Sequence, residues 1–138
     1  MITIESLLQC ADTKKYQIKD IPLSYMADAH KMIIVLNRIQ DDYNKELKFT
    51  CFYRDEWHNT KIGGAKNSNH KYCLAVDISD PKNELFYWLT KDNQLKANEY
   101  NIWIENIVKK DGSKRNWVHI AIKPFASYKT GGTRVFEP

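Results

Sequence analysis

The sequence predicts an α+β fold, with helices packed on one face of a mainly antiparallel sheet. Three observations carry that expectation. Apolar residues recur at three- and four-residue steps in the first two-fifths of the chain, they alternate with a period of two thereafter, and no repeat or linker divides the 138 residues. A chain of this length is expected to form one domain, residues 1–138, able to bury a core of its own.

Each element has its own signal. "IESLLQC" reads as a short, weakly amphipathic helix. A longer helix follows Pro22, from about Ser24 to Lys45, because Met26, Ala29, Ile33, Leu36, Ile39 and Tyr43 form one apolar stripe. His30 lies beside that stripe and reads as a surface or packing histidine, not a ligand. The period then changes to two. "KFTCFYR" alternates Phe49, Cys51 and Tyr53 against Thr50, Phe52 and Arg54, a first strand. The polar, glycine-containing "DEWHNTKIGGAKNSN" is expected to be a loop leading to His70. "CLAVDIS" is a second strand, and Asp80–Pro81 is the expected opening of a helix over Pro81–Lys91. "EYNIWIENI" reads as a third strand, "KKDGSKRN" as a turn, "WVHIAIK" as a fourth strand and the tail "PFASYKTGGTRVFEP" as loop.

Composition narrows the function classes. The chain is 43% hydrophobic and 28% charged, with no apolar run approaching the roughly 20 residues a bilayer span requires, so no membrane insertion is expected. "MITIESLLQCADTKK" lacks the basic start and apolar stretch of a signal peptide, which predicts synthesis in the cytoplasm. The net charge of +4 would suit an anionic surface such as nucleic acid or cell wall. Three cysteines, Cys10, Cys51 and Cys73, make an odd count without a CxxC, which favours reduced thiols over a disulfide framework. Cys51 and Cys73, in apolar strand-like segments, read as small buried hydrophobes.

The strand faces bring chemistry together. Leu74, Val76 and Ile78 point one way along the second strand and Ala75 and Asp77 the other. Val118, Ile120 and Ile122 oppose Trp117, His119 and Ala121, while Ile102 and Ile104 oppose Trp103 and Glu105. If the aliphatic faces pack on the helices, Asp77, Glu105 and His119 share the other side of the sheet, and His70 can join them from its loop. Taken singly, Asp77 could cap a turn, His119 could be an ordinary strand histidine and Glu105 could be solvated. Together they point to a site: two imidazoles and a carboxylate with a fourth position open to water form a catalytic zinc set. Zinc so held lowers the pKa of its water towards about 7, and a separate carboxylate, here Glu105, is needed to take the proton.

These residues resemble a known family. Ser68-x-His70-x-x-Cys73-x-Ala75-x-Asp77 is similar to the SxHxxGxAxD signature of the M15 zinc peptidases, which include D-Ala-D-Ala carboxypeptidases and bacteriophage endolysins. "TCFYR" resembles the family's strand ending in Tyr-Arg, "IGGAKNSNH" its Gly-Gly approach to the serine, and "YNIWIE…NWVHIAI" its phage-type ending. The resemblance spans about residues 22–134. It implies the M15/hedgehog-like fold, with the zinc site on the sheet face away from the helices. His70, Asp77 and His119 are implied as zinc ligands, Glu105 as the base, and Arg54 as the residue holding a substrate carboxylate or carbonyl oxygen through its planar fork. Ser68 would brace the loop, contact substrate or simply form a turn, and Trp117 would flank the site. Two positions depart from the pattern. Cys73 stands where the signature has glycine, which puts a side chain where close backbone approach is usual, and a thiol there could pack or become a stray ligand. Asn116 stands where some branches carry an acidic base, which leaves that role to Glu105.

The function implied is zinc-dependent hydrolysis of an amide bond in peptidoglycan stem peptides, as a carboxypeptidase or endopeptidase. A catalytically weak, zinc-containing module that binds wall peptide is the alternative. The expected partner is a peptidoglycan peptide, with no nucleic acid, and the expected state is a monomer. Phage or prophage origin would have it reach the wall after release or on a virion. A His-Asn-His nuclease, suggested by "EWHN" and "NSNH", is disfavoured because a strand and not a helix follows His70. His58 and Asn59 then read as loop residues of a substrate-side flap.

Overall fold

The computed structural model describes residues 1–10, 14–123 and 133–137. Its first helix, α1 (Ile4–Leu8), opens with a reciprocal cap: the Thr3 and Ser6 side chains each accept the other's backbone N–H. Ile4, Leu7 and Leu8 are buried, and α1 packs on α2 (Met26–Tyr43). The helical period places Ala29, Met32, Val35, Leu36 and Ile39 of α2 in the core, with Met26, Ile33 and Tyr43 packed at its margin. Asn44, in the left-handed region, ends the helix, and His30 is exposed. Among the described residues no helix is long and apolar enough to cross a membrane.

Five strands form one sheet: β1 (Phe49–Cys51), β2 (Ala75–Ser79), β3 (Trp103–Glu105), β4 (Trp117–Ala121) and β5 (Val135–Phe136). Their order is β1-β2-β4-β3-β5, antiparallel throughout except for the parallel β3–β5 pair. The fold is therefore α+β with a mostly antiparallel sheet. Val76, Ile78, Ile104, Val118 and Ile120 are fully or almost fully buried and join Met32, Leu36, Ile39, Leu85 and Leu89 in one apolar cluster. Each such side chain contributes about 1.5–3 kcal/mol by leaving water. That burial fixes the strand register, because a one-residue slip would send Asp77 and His119 into the core.

Several elements differ from expectation, and the first strand is confined to Phe49–Cys51. Residues expected to be loop form α3 (Glu56–Lys61), capped by Asp55, whose Oδ1 accepts the His58 N–H at 2.8 Å. One and a half turns are too few to show a period. His58 and Asn59 are each 1% exposed, so they are packing residues and not a flap. The next helix, α4 (Glu84–Tyr100), starts later and runs further than Pro81–Lys91. Asp80 does cap it, but from outside: its two carboxylate oxygens accept the Leu85 and Phe86 N–H groups at 3.1 and 2.9 Å. A non-helical break at Lys91–Gln94 interrupts α4, and this polar stretch hides its second half, where Ala97 and Tyr100 are buried. The third strand is correspondingly short, because Glu99 and Tyr100 belong to the helix.

Cys73 is not on a strand. It ends the 3-10 turn Asn69–Tyr72 with φ 58°, and its side chain is fully buried in the core. The glycine of the signature is therefore explained by left-handed backbone as well as by space. Finally, the tail expected to be loop contributes β5. The rest of it, residues 124–132 and 138, lies outside the described residues.

Candidate active site

Strand register assembles the site. Asp77 pairs with Cys51 on one side and His119 on the other. Ile104 pairs with Ile120, which brings Glu105 beside His119, and Glu105 pairs in turn with Phe136. One row across the sheet thus reads Cys51, Asp77, His119, Glu105, Phe136, on the face opposite Val76, Ile78 and Ile120.

His70 enters from the 3-10 turn before β2. Ser68 caps that turn, its Oγ accepting the His70 N–H at 3.3 Å, and the Arg54 N–H donates to the His70 carbonyl at 3.2 Å. Within the imidazole, Nδ1 lies 2.7 Å from the Phe52 carbonyl. A carbonyl can only accept, so Nδ1 carries the proton and Nε2 presents a lone pair. Nε2 is buried without a hydrogen-bond partner, 3.3 Å from Asp77 Oδ1. Burial holds the His70 pKa below the ordinary histidine range, which keeps the ring neutral. Burial alone would raise the Asp77 carboxyl, but the hydrogen bond from the adjoining His119 opposes it, and the group is held far below the usual carboxylate range. His119 Nδ1 lies 2.8 Å from the same Oδ1.

A lone pair and a carboxylate oxygen facing each other in a buried place call for a cation between them. Two donors each about 2.0–2.1 Å from a tetrahedral zinc stand roughly 3.3 Å apart, which matches the His70–Asp77 separation. The Phe52 carbonyl on the other ring nitrogen is the outer contact a ligating histidine needs to fix its orientation. The residues present fit zinc. Cys51 is close too: its thiol, His70 and Asp77 offer ligand atoms all within 4.8 Å of one another. The sulfur lies 3.6 Å from His70 Nδ1, the nitrogen already given to Phe52, whereas His119 meets Asp77 at the same oxygen as His70 Nε2. Among the described residues, Cys51, His70 and Asp77 are the group whose ligand atoms lie mutually close enough for one ion, and His119 joins them through Asp77 Oδ1. Cys73 does not line the site, and burial pushes its thiol up to about 12.

These groups floor a cleft of about 730 Å³. The seven residues expected to bind metal, act as base or contact substrate all line it: Arg54, Ser68, His70, Asp77, Glu105, Trp117 and His119. Arg54 is 9% exposed, with its Nη1 3.4 Å from Asn59 Oδ1 and its buried Nε without a hydrogen-bond partner. Gly64 closes against this pair. A Cβ there would lie 2.2 Å from Asn59 Oδ1 and 3.0 Å from Arg54 Nη1, so the second glycine of "IGG" is set by contact.

The structure also brings in residues that sequence reading missed. Arg115, placed in a turn, pairs with Glu105 at 2.7 Å and lies over the Trp117 ring at 5.7 Å. Its signal was parity: positions 115, 117 and 119 share a face if the strand pattern is carried two residues back. Phe136 meets His119 edge-on, with ring centroids 6.1 Å apart, and Glu137 joins the cleft wall. Two residues of strand in a polar tail left no pattern to find.

Two imidazoles and a carboxylate on a cleft floor, with a second carboxylate and an arginine on its walls, can support metal-assisted hydrolysis. A family model described as Peptidase M15 matches residues 3–121. The chain belongs to the Peptidase M15 family, a family of zinc metallopeptidases. No curated protein matches the chain.

Proposed function

We propose that this chain is a zinc-dependent peptidase that hydrolyses an amide bond in the peptide stems of peptidoglycan, acting at the wall after release from a cell or on a virion. The observation that carries the reading is the buried, unpartnered His70 Nε2 facing Asp77 Oδ1, with His119 on the same oxygen. His70, Asp77 and His119 would hold the metal. Zinc there supplies a Lewis acid that polarises the scissile carbonyl and makes water nucleophilic near neutral pH. Arg54 orients the substrate, its unpartnered Nε and its fork of donors offering hydrogen bonds to a carboxylate or a carbonyl oxygen. Glu105, held beside His119 on the neighbouring strand, takes the proton of the attacking water and passes it to the leaving amine. Ser68 acts through the turn that carries His70, and Trp117 walls the cleft.

The amide substrate follows from family membership. The choice of wall peptide draws on the phage-type pattern around Glu105 and His119 and on the +4 net charge, which complements an anionic polymer. A second reading, a wall-peptide binding module of low activity, draws on one observation: the Glu105 carboxylate is engaged by Arg115, which competes with its use as a base. Glu105→Gln decides between them. The peptidase reading expects zinc content unchanged and turnover on purified peptidoglycan reduced by about 10²–10⁴-fold. A wild type that binds zinc and wall peptide but releases no fragment supports the module.

A further inference from the structure

The C-terminal strand has no place in the chemistry above, yet it is held by more contacts than its length requires. Residues 133–137 lie beyond the 3–121 region matched by the family model. The Ile104 and Asn106 N–H groups donate to the Arg134 and Phe136 carbonyls at 2.7 and 2.8 Å, so β5 covers what would otherwise be the open edge of β3. Arg134 stacks its guanidinium over Trp103 at 4.2 Å and donates to Asn98 and Asn101.

A further anchor is Gln94. Its Nε2 donates to Thr133 Oγ1 at 2.6 Å, and its Oε1 accepts from the Arg134 N–H at 2.5 Å. Gln94 reaches β5 from inside α4, at the end of three consecutive left-handed residues: Asp92 (φ 52°), Asn93 (φ 55°) and Gln94 (φ 63°). Residues with a Cβ adopt that conformation at a cost, and it persists where surrounding contacts fix it. Here those contacts are made by the Gln94 carboxamide to Thr133 and Arg134, at the entry to β5.

We propose that residues 133–137 are a latch strand, docked by Gln94, whose Phe136 positions His119 while its ladder holds the β3 segment bearing Glu105. The row across the sheet gives the route. Phe136 is 4% exposed, pairs with Glu105 and presents its ring edge-on to His119 at 83°. A packed aromatic wall restricts the rotation of an imidazole, as an outer hydrogen bond does for other metal-bound histidines. Gln94 and Phe136 are positioning residues, since neither is placed to bind metal or take a proton. The inference rests on the reading of His119 as a ligand and Glu105 as the base.

The test uses the full chain with Gln94→Ala and, to spare the fold, Phe136→Leu. Zinc affinity is measured by chelator competition, and hydrogen exchange is followed at the Ile104 and Asn106 amides. Gln94→Ala is expected to speed exchange at both amides at least tenfold, with core amides of α2 unchanged, and to weaken zinc binding about tenfold. Phe136→Leu is expected to keep the two amides protected and still weaken zinc binding. Wild-type zinc affinity in both variants, or full protection of both amides in Gln94→Ala, overturns the latch. A wild type that binds zinc but cuts no peptidoglycan sinks the proposed function and leaves the latch standing. A wild type that binds no zinc sinks the positioning role with the metal site.

Discussion

Gly64→Ala is the most informative single-atom perturbation of this molecule. The added Cβ would sit 2.2 Å from Asn59 Oδ1 and 2.8 Å from its Cγ, against ordinary contacts of 3.4 Å or more, so the carboxamide must move by more than 1 Å. Asn59 is 1% exposed and donates to the Ala65 carbonyl at 2.9 Å, and its Oδ1 is the partner of Arg54 Nη1. Overpacking costs about 1–3 kcal/mol, and breaking a hydrogen bond to a buried group costs about 1–3 kcal/mol more. Because one movement relieves part of both, the net expected loss is about 2–4 kcal/mol. Urea denaturation reads that loss as a lower midpoint with an unchanged slope. The same displacement loosens Arg54, so KM for a peptide substrate rises in the fraction that remains folded. Asn59→Ala in the Gly64→Ala background should recover part of the loss, giving a coupling energy of at least about 1 kcal/mol. Wild-type stability in Gly64→Ala, or additive losses in the double variant, would refute the contact argument.

Two further outcomes follow from the same geometry. Cys73→Gly deletes one more carbon than Cys73→Ala, but it also releases the left-handed residue from its Cβ, a relief of about 1–2 kcal/mol. The two variants should therefore match within about 1 kcal/mol by denaturant titration, and a much weaker glycine variant would show that packing alone governs the position. On acidification, the unfolded chain takes up a proton at histidine near pH 6.5 that buried His70 resists, so metal-free stability falls as pH drops through about 6.5 towards the lower folded value. Asp77, held low, contributes stability that is present above its unfolded value and is lost only as pH falls through its folded one, in strong acid. Thermal unfolding of chelator-treated protein across pH 4–8 (a window of about four units around the histidine range) checks the sign, and stability that rises as pH falls below 6 would contradict it.

Much of the site was legible because it is written in strand parity. A period of two fixes which side chains share a face, so Asp77, His119 and Glu105 could be placed together before any contact was known. His70, Ser68 and Arg54 depend on the turn entering β2, whose spacing is a family pattern and not a consequence of periodicity. What escaped were short or interrupted elements. A helix as brief as α3 has no repeat to read, and α4 is cut by a polar left-handed turn that reads as a terminus. Arg115 was hidden by assigning its segment wholly to a turn, and Phe136 by the brevity of β5. Cys51, read only as a small hydrophobe, sits beside the histidine because β1 lies next to β2, a pairing that alternation does not reveal.

The central claim is that His70, Asp77 and His119 hold a zinc ion that this chain needs to cut peptide bonds of the wall. Mass spectrometry of fragments released from purified peptidoglycan tests it most directly, using chelator-stripped protein before and after one equivalent of zinc, with His119→Ala beside it. The account predicts amide-cleavage products from the wild type only when zinc is restored, and none from His119→Ala at the same zinc level. Undiminished cleavage by the stripped protein, or by His119→Ala, would contradict it.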